Sequence, residues 1–257
     1  MTRTATSFAS DAPLFAPGGY HYMPGVFQYS GGVAAASGFA IERARFRRPV
    51  AMADAFVRIE THLRAIGRPL TAFCQCELRS PAPFTEDAFR DFNWHYVGTL
   101  ERWGVYANDV NPVARSNVCP EIDKPTSPSI YAFSYTVATT LAARDFIVAG
   151  SAECPEGQTN YRDHIVRPGD TSPAGLREKA RWVLGEMERR MAALGADWSD
   201  VTATQLYTVH DPHPFLADEL VHRGALPGGL TWHYVRPPVV GLDYEMDVRG
   251  VAREVVI

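Results

Sequence analysis

Only a few stretches of this 257-residue chain carry side chains fit for chemistry. In Pro112-Val113-Ala114-Arg115-Ser116-Asn117-Val118 a lone arginine follows a small residue and enters an apolar run. Facing a cleft from a strand, Arg115 would anchor a carboxylate, because its planar fork makes two charge-assisted hydrogen bonds at once. The same pattern also fits a surface arginine at a strand start. Cys74-Gln75-Cys76 sets two thiols on one strand face. We read them as small core residues, since zinc sites use wider spacing and further ligands. His210-Asp211-Pro212-His213 resembles a ligand cluster, but its proline and its place at a helix start make it a cap and turn. Arg43, Arg45 and Arg47 alternate along one strand, where they either hold an anion or form a solvated sheet edge; the edge is our reading. The chain has no phosphate loop, dinucleotide fingerprint, Gly-x-Ser-x-Gly elbow or His-Glu-x-x-His helix.

The elements that must position these residues come in two similar series. Phe27-Gln28-Tyr29-Ser30-Gly31-Gly32 is echoed by Phe146-Ile147-Val148-Ala149-Gly150-Ser151. Val26–Ser30 and Phe39–Phe46 read as strands. Met52, Phe56, Ile59, Leu63 and Ile66 then form one helical stripe, ended by Gly67. A strand follows over Leu70–Leu78, and Thr85 caps a second helix from Glu86 to about Trp103. Val113–Pro120 and Ser129–Val137 close the series. The second series has a helical stripe of Leu176, Ala180, Val183, Met187, Met191 and Leu194, ended by Gly195. It continues with a strand over Val201–Val209 and a short helix over Pro214–Val221, capped by Asp211 with Pro212 at the first helical position. Closing strands follow at Leu230–Arg236 and Asp243–Val251. A repeated strand–helix–strand unit predicts two small α/β (α+β) domains, 18–140 and 145–257, joined at 138–144.

Bulk properties add limits. Net charge is −4, and only Lys124 and Lys179 among the basic residues are lysines. Neither feature calls for a nucleic acid, and no run is long enough for a membrane helix. Met1–Pro17 reads as a loose arm. Four cysteines in a chain this long are no disulfide framework, so a cytoplasmic location is expected.

The order of elements resembles the RidA (YjgF-like) reactive-intermediate deaminase family. The residues that carry this are the Tyr29-Ser30-Gly31-Gly32 turn, the helix ending in Ile66-Gly67, the Ala114–Val118 segment and the Phe92-Asn93-Trp94-His95-Tyr96 stretch. The resemblance spans about 18–137 and, more weakly, 145–254. It implies a fold of the bacillus chorismate mutase type in each domain, a mixed sheet with two helices on one face. It also implies assembly around a three-fold axis, here a homotrimer, with clefts between domains. The family activity is hydrolysis of amino-acid-derived enamines and imines, with no metal or other cofactor.

Carried over by position, Arg115 anchors the substrate carboxylate, Asn117 stands where the family often has cysteine, and Tyr20, Ser30, Gly31, Asn93 and Tyr96 line the cleft. The family's water-handling glutamate falls near Tyr131 in the first copy. The second copy supplies Glu245 in Asp243-Tyr244-Glu245-Met246-Asp247 but has Gly229-Leu230-Thr231-Trp232 where the arginine belongs. One cleft drawing on both domains would reunite the pair, with Arg115 as anchor and Glu245 or the Tyr131 phenol handling the proton. Glu245 equally reads as an exposed strand residue flanked by Asp243 and Asp247. The expected function is a metal-independent deaminase of a small carboxylated enamine or imine, an aminomuconate-like intermediate included. The alternative is a carboxylate-binding protein that kept the anchor and lost the chemistry.

Overall fold

The computed structural model describes residues 12–141 and 144–257. The expected arm thus falls largely outside the described residues, and its end forms a two-residue strand, β1 (Leu14–Phe15). There follow β2 (Tyr20–Met23), β3 (Gly32–Ala35), β4 (Phe39–Ala51), α1 (Met52–Ala65), β5 (Phe73–Arg79), α2 (Glu86–Arg102), β6 (Ala114–Pro120) and β7 (Ser129–Ala138). The remainder comprises β8 (Phe146–Ala152), α3 (Pro173–Ala193), β9 (Ala203–Tyr207), α4 (His213–Phe215), β10 (Leu230–His233), β11 (Val235–Arg236), β12 (Glu245–Gly250) and β13 (Arg253–Val256). A wider helical run over Leu216–Val221 continues α4.

The strands form two mixed sheets, ordered β1-β2-β3-β8-β12-β9-β10 and β11-β6-β5-β7-β4-β13. Each contains the same four-strand unit. In one, β6 runs parallel to β5, β5 antiparallel to β7 and β7 antiparallel to β4. In the other, β10, β9, β12 and β8 follow in that order with the same senses. Across the expected join the chain trades strands: β3 pairs with β8, β11 with β6 and β13 with β4.

Helix periodicity explains the two main cores. Met52, Phe56, Ile59 and Leu63 bury one face of α1, and Phe89, Phe92, Tyr96, Val97 and Leu100 one face of α2, both into a core with Phe73, Cys76 and Phe133. Thr85 Oγ1 accepts the Ala88 N–H at 3.3 Å and starts α2 as expected. Leu176, Ala180, Val183, Met187 and Met191 do the same for α3 over Phe146, Val148 and Met246. Gly67 and Gly195 end α1 and α3 at φ 69° and 75°, values that favour glycine.

Three local expectations need correction. Residues 26–30 form no strand; Val26 and Tyr29 make one isolated bridge and Ser30 and Ala114 another, and the ladder resumes at β3. Cys74 and Cys76 do not share a face. The register between β5 and β7 slips between Phe73 and Gln75, so Cys74 enters a different core from Cys76. Both thiols are buried in apolar surroundings, which pushes their pKa values up.

The third correction concerns Arg43. It is no solvated edge residue, because β4 lies between β7 and β13. Its Nε and Nη2 donate to Glu77 Oε1 and Oε2 at 2.6 and 2.8 Å, and Nη1 to Glu254 at 3.1 Å. Despite its burial, Glu77 is held well below the usual carboxylate range by Arg43, with help from Arg249 and Arg79. A depressed carboxylate contributes stability above its unfolded pKa and loses it as pH falls. Glu77→Gln should lower unfolding free energy at neutral pH by about 3 kcal/mol, because it leaves buried guanidinium charge uncompensated. Urea denaturation checks this; a loss below about 1 kcal/mol refutes it.

Candidate active site

A cavity of about 460 Å³ opens where β6 of one sheet meets β8 and β12 of the other. Arg115 and Asn117 on β6, Gly150, Ser151 and Ala152 on β8 and Glu245 on β12 contribute to its wall. Tyr29, Phe89, Cys154, Glu156 and Tyr161 add to it, as do Pro238, Val239 and Leu242. Arg115 and Asn117 are two apart on one strand and so share a face.

Arg115 is 2% exposed, and its Nη1 is buried without a hydrogen-bond partner. Its charge instead lies against four rings, with centroids at 5.0 Å for Tyr29 and Tyr96, 5.6 Å for Phe89 and 5.8 Å for Phe92. Cation–π attraction, about 0.5–2 kcal/mol per contact, helps to offset its desolvation. Asn117 accepts from Ser80 Oγ at 2.9 Å, while its Nδ2 is buried and unpartnered. One strand face therefore brings a free guanidinium donor and a free amide donor to the cavity. Buried donors left unpaired each cost about 1–3 kcal/mol, so this pair is suited to an incoming oxyanion.

The opposite wall carries the acid. Glu245 is buried, and desolvation pushes its pKa well above the usual carboxylate range, aided by Asp247 and Glu153 and opposed by Arg115 and Arg79. Burial thus favours its neutral carboxylic acid form, which can donate a proton. Asp247 points elsewhere, accepting from Ser116 Oγ at 2.6 Å, Tyr207 at 2.7 Å and Gln205 at 2.8 Å. Glu153 accepts the backbone N–H groups of Asp243 and Tyr244 at 2.6 and 3.0 Å, and Lys179 reaches both Glu153 and Asp243. This buried lysine clamp fixes the chain just before Glu245.

Gly150 makes room for that acid. Against the two-residue step Met246–Val248 of β12, β8 takes three residues, Ser151 to Val148, and the resulting bulge presents Gly150 to the cavity. A Cβ there would lie 2.3 Å from Glu245 Oε1 and 3.2 Å from the Ser116 Cα. Gly150→Ala should displace the carboxyl and lower kcat by about 100-fold, since misplacement by about 1 Å has effects of that size. KM should change far less, because the anchor is untouched. Steady-state kinetics test this, and an unchanged kcat refutes it.

Loop residues complete the wall. Glu86, in the first turn of α2, accepts the N–H groups of Tyr161 and Arg162 at 3.0 and 3.2 Å and so holds Tyr161 in place. Phe84 exchanges backbone hydrogen bonds with Pro238 and Val240, which seats the 238–242 segment. Burial pushes the Cys154 thiol and the Tyr161 phenol up to about 12, so both are neutral at pH 7.

Of the residues singled out from sequence, Arg115, Asn117 and Glu245 meet at this cavity. Tyr96 supports the Arg115 charge from behind. The others lie elsewhere. Tyr131 stacks on Arg79, whose charge is 4.4 Å from the ring centroid, and takes no part in the cavity wall. Tyr20 is a core residue whose hydroxyl donates to the Phe73 carbonyl at 3.1 Å. Ser30 donates to Pro112 and Gly32 carbonyls and braces the approach to β6, and the Gly31 N–H donates to Met23. Asn93 is fully buried in α2, its amide without a protein partner. Sequence reasoning passed over Gly150, Ser151, Glu156 and Tyr161. Gly150 did stand in the echoed segment, the one signal that pointed toward it.

Among the described residues, no group of three His, Cys, Asp or Glu side chains is arranged to hold a metal. His213 pairs with Asp211 and His210 with Asp243, so the suspected ligand cluster divides between two carboxylates. No helix of the described residues is long and apolar enough to cross a membrane.

Comparison with known proteins adds the family. The model of the family described as 2-aminomuconate deaminase CnbZ matches residues 13–255. The chain is 59% identical to the 2-amino-5-chloromuconate deaminase of Comamonas testosteroni over 249 residues, 96% of this chain and 99% of that protein. Among solved structures, a chorismatase matches 86% of this chain and 77% of its own length at 13% identity and TM-score 0.49. The YjgF protein of E. coli matches 42% of this chain and 81% of its own at 17% identity and TM-score 0.31.

Proposed function

The chain belongs to the 2-aminomuconate deaminase family CnbZ, and on that premise we propose that the Arg115–Glu245 cavity hydrolyses a 2-aminomuconate-type dienamine to the 2-oxo acid and ammonia. The observation that carries this reading is a buried, carboxylate-free guanidinium sharing one cavity with a buried acid whose neutral form burial favours. Arg115 and Asn117 Nδ2 bind the carboxylate next to the amino-bearing carbon. Neutral Glu245 protonates the diene carbon chain, and the enamine electrons shift to make the C=N bond of an iminium. The Glu245 carboxylate then takes a proton from water as its oxygen bonds to that carbon. It passes this proton to nitrogen; the C–N bond breaks as C=O forms, and the hydroxyl proton returns to Glu245. One water is consumed and one ammonia leaves, with no change of redox state.

The aromatic wall of Tyr29 and Phe89 suits a planar, unsaturated ligand. Incubating the protein with 2-aminomuconate and following ammonia release together with loss of diene absorbance tests the proposal. Stoichiometric ammonia is the expected result; tight binding without ammonia refutes it.

A further inference from the structure

A muconate carries two carboxylates, and Arg115 answers only one. Placing the second negative charge in a cavity walled by Phe89, Val239 and Leu242 without a cation would be strongly unfavourable. We infer that Arg190 is the anchor of the distal carboxylate, and that Glu156 is the internal carboxylate which yields it. This inference rests on the dicarboxylate reading above and specifies the second half of the same site.

Arg190 reaches down from α3 and is 1% exposed. Its Nη2 donates to Ser151 Oγ at 3.2 Å and lies 3.0 Å from Glu156 Oε1, an ion pair without hydrogen-bond geometry, and both of those residues line the cavity. Its remaining contacts are weaker: Nη1 is 3.4 Å from the Ala149 carbonyl, and Nε is 3.6 Å from Glu186 without a hydrogen bond. Other buried cations are differently placed. Lys179 is committed to Glu153 and Asp243 at 3.2 and 2.5 Å. Arg79 lies between the rings of Tyr131 and Tyr207. Arg190 is thus a cation one side chain behind the wall, and that side chain is a carboxylate.

Glu156 also lines an adjoining cavity of about 670 Å³ with Phe27, Gln28, Pro155, Gly157 and Asn160. Its carboxylate therefore has room to turn aside while a ligand carboxylate takes its place on Nη2 and accepts from Ser151 Oγ. Exchanging one carboxylate for another leaves the charge around Arg190 unchanged, and Glu156 moves toward water.

The test compares trans,trans-muconate with sorbate, the same diene with a methyl in place of the second carboxylate, by calorimetric titration of wild type, Arg190→Met and Glu156→Gln. Wild type should bind muconate about 100-fold more tightly than sorbate, and Arg190→Met should erase that preference while leaving sorbate affinity within about 3-fold. Glu156→Gln removes the competitor and should tighten muconate about 10-fold with sorbate unchanged. It decides the matter should Arg190→Met not fold. Equal weakening of both ligands in Arg190→Met, or muconate binding that is weakened or unmoved in Glu156→Gln, overturns the inference. Wild type that discriminates through Arg190 but releases no ammonia from 2-aminomuconate sinks the deaminase reading alone. Ammonia release without discrimination sinks the subsite alone.

Discussion

Arg115→Met is expected to slow deamination by about 1,000-fold and, at the same time, to make the protein more stable. The guanidinium sits on four rings with its Nη1 unpaired, so the fold carries its desolvation without a carboxylate in return. Methionine fills similar space against Tyr29, Tyr96, Phe89 and Phe92 and needs no partner. Replacing a buried charge with a well-packed apolar side chain often stabilises by about 1–4 kcal/mol. For a chain of this size that corresponds to a Tm increase of roughly 2–10 °C. Losing a buried charge-assisted anchor should cost about 4 kcal/mol of transition-state binding, or about 1,000-fold in kcat/KM. Arg115→Lys keeps the charge but loses the fork, and should fall between the two. Thermal unfolding and steady-state kinetics on the three proteins check both halves. A variant that unfolds more readily would make Arg115 a structural residue, and one that retains activity would remove it from the site.

The sequence pointed to Arg115 and Glu245 because strand position and a family resemblance are both local information. It could not say that they meet. That depends on β6 of one sheet lying beside β8 and β12 of the other, a contact made far apart in the chain. The same limit explains Tyr131. The family's glutamate falls near it in the first series, but the cavity uses β6 from one four-strand unit and β12 from the other. Helical stripes were legible throughout, since a 3.6-residue period marks the buried face by itself. Alternation along β4 was silent on what covers Arg43, and the cover is Glu77 and Glu254, both distant in sequence. Bulges were invisible, so the faces of Cys74 and Gly150 were misjudged or missed. Glu156 and Tyr161 sit in an irregular segment without period, where only packing against α2 and α3 places them.

Glu245→Gln provides the sharpest separation of chemistry from scaffold, because its effects on stability and on turnover have opposite signs. In the wild type the folded pKa of Glu245 lies well above the unfolded value of about 4.3. The folded protein therefore holds a proton that the unfolded chain releases, and stability from this group is complete below about pH 4.3 and declines as pH rises toward the folded pKa. Glutamine keeps the shape of the neutral acid and has no proton to lose. The stability difference, variant minus wild type, should be near zero at pH 4 and grow in favour of the variant as pH rises through 7. Taking that difference cancels shifted carboxylates remote from Glu245, such as the raised Asp145, whereas Asp247 and Glu153 are coupled to Glu245 and contribute to the difference with it. Turnover should respond the other way. Without a proton to give to carbon or a base to activate water, kcat should fall by about 100- to 10,000-fold, the usual contribution of one positioned acid–base group. Wild-type kcat/KM should decline on the alkaline side as Glu245 ionises, and the residual rate of the variant should lose that limb. Paired denaturation curves and pH–rate profiles from pH 4 to 9 measure both. A variant whose stability tracks the wild type at every pH would place an ionised Glu245 in the folded protein, and the proton donor would have to be found elsewhere.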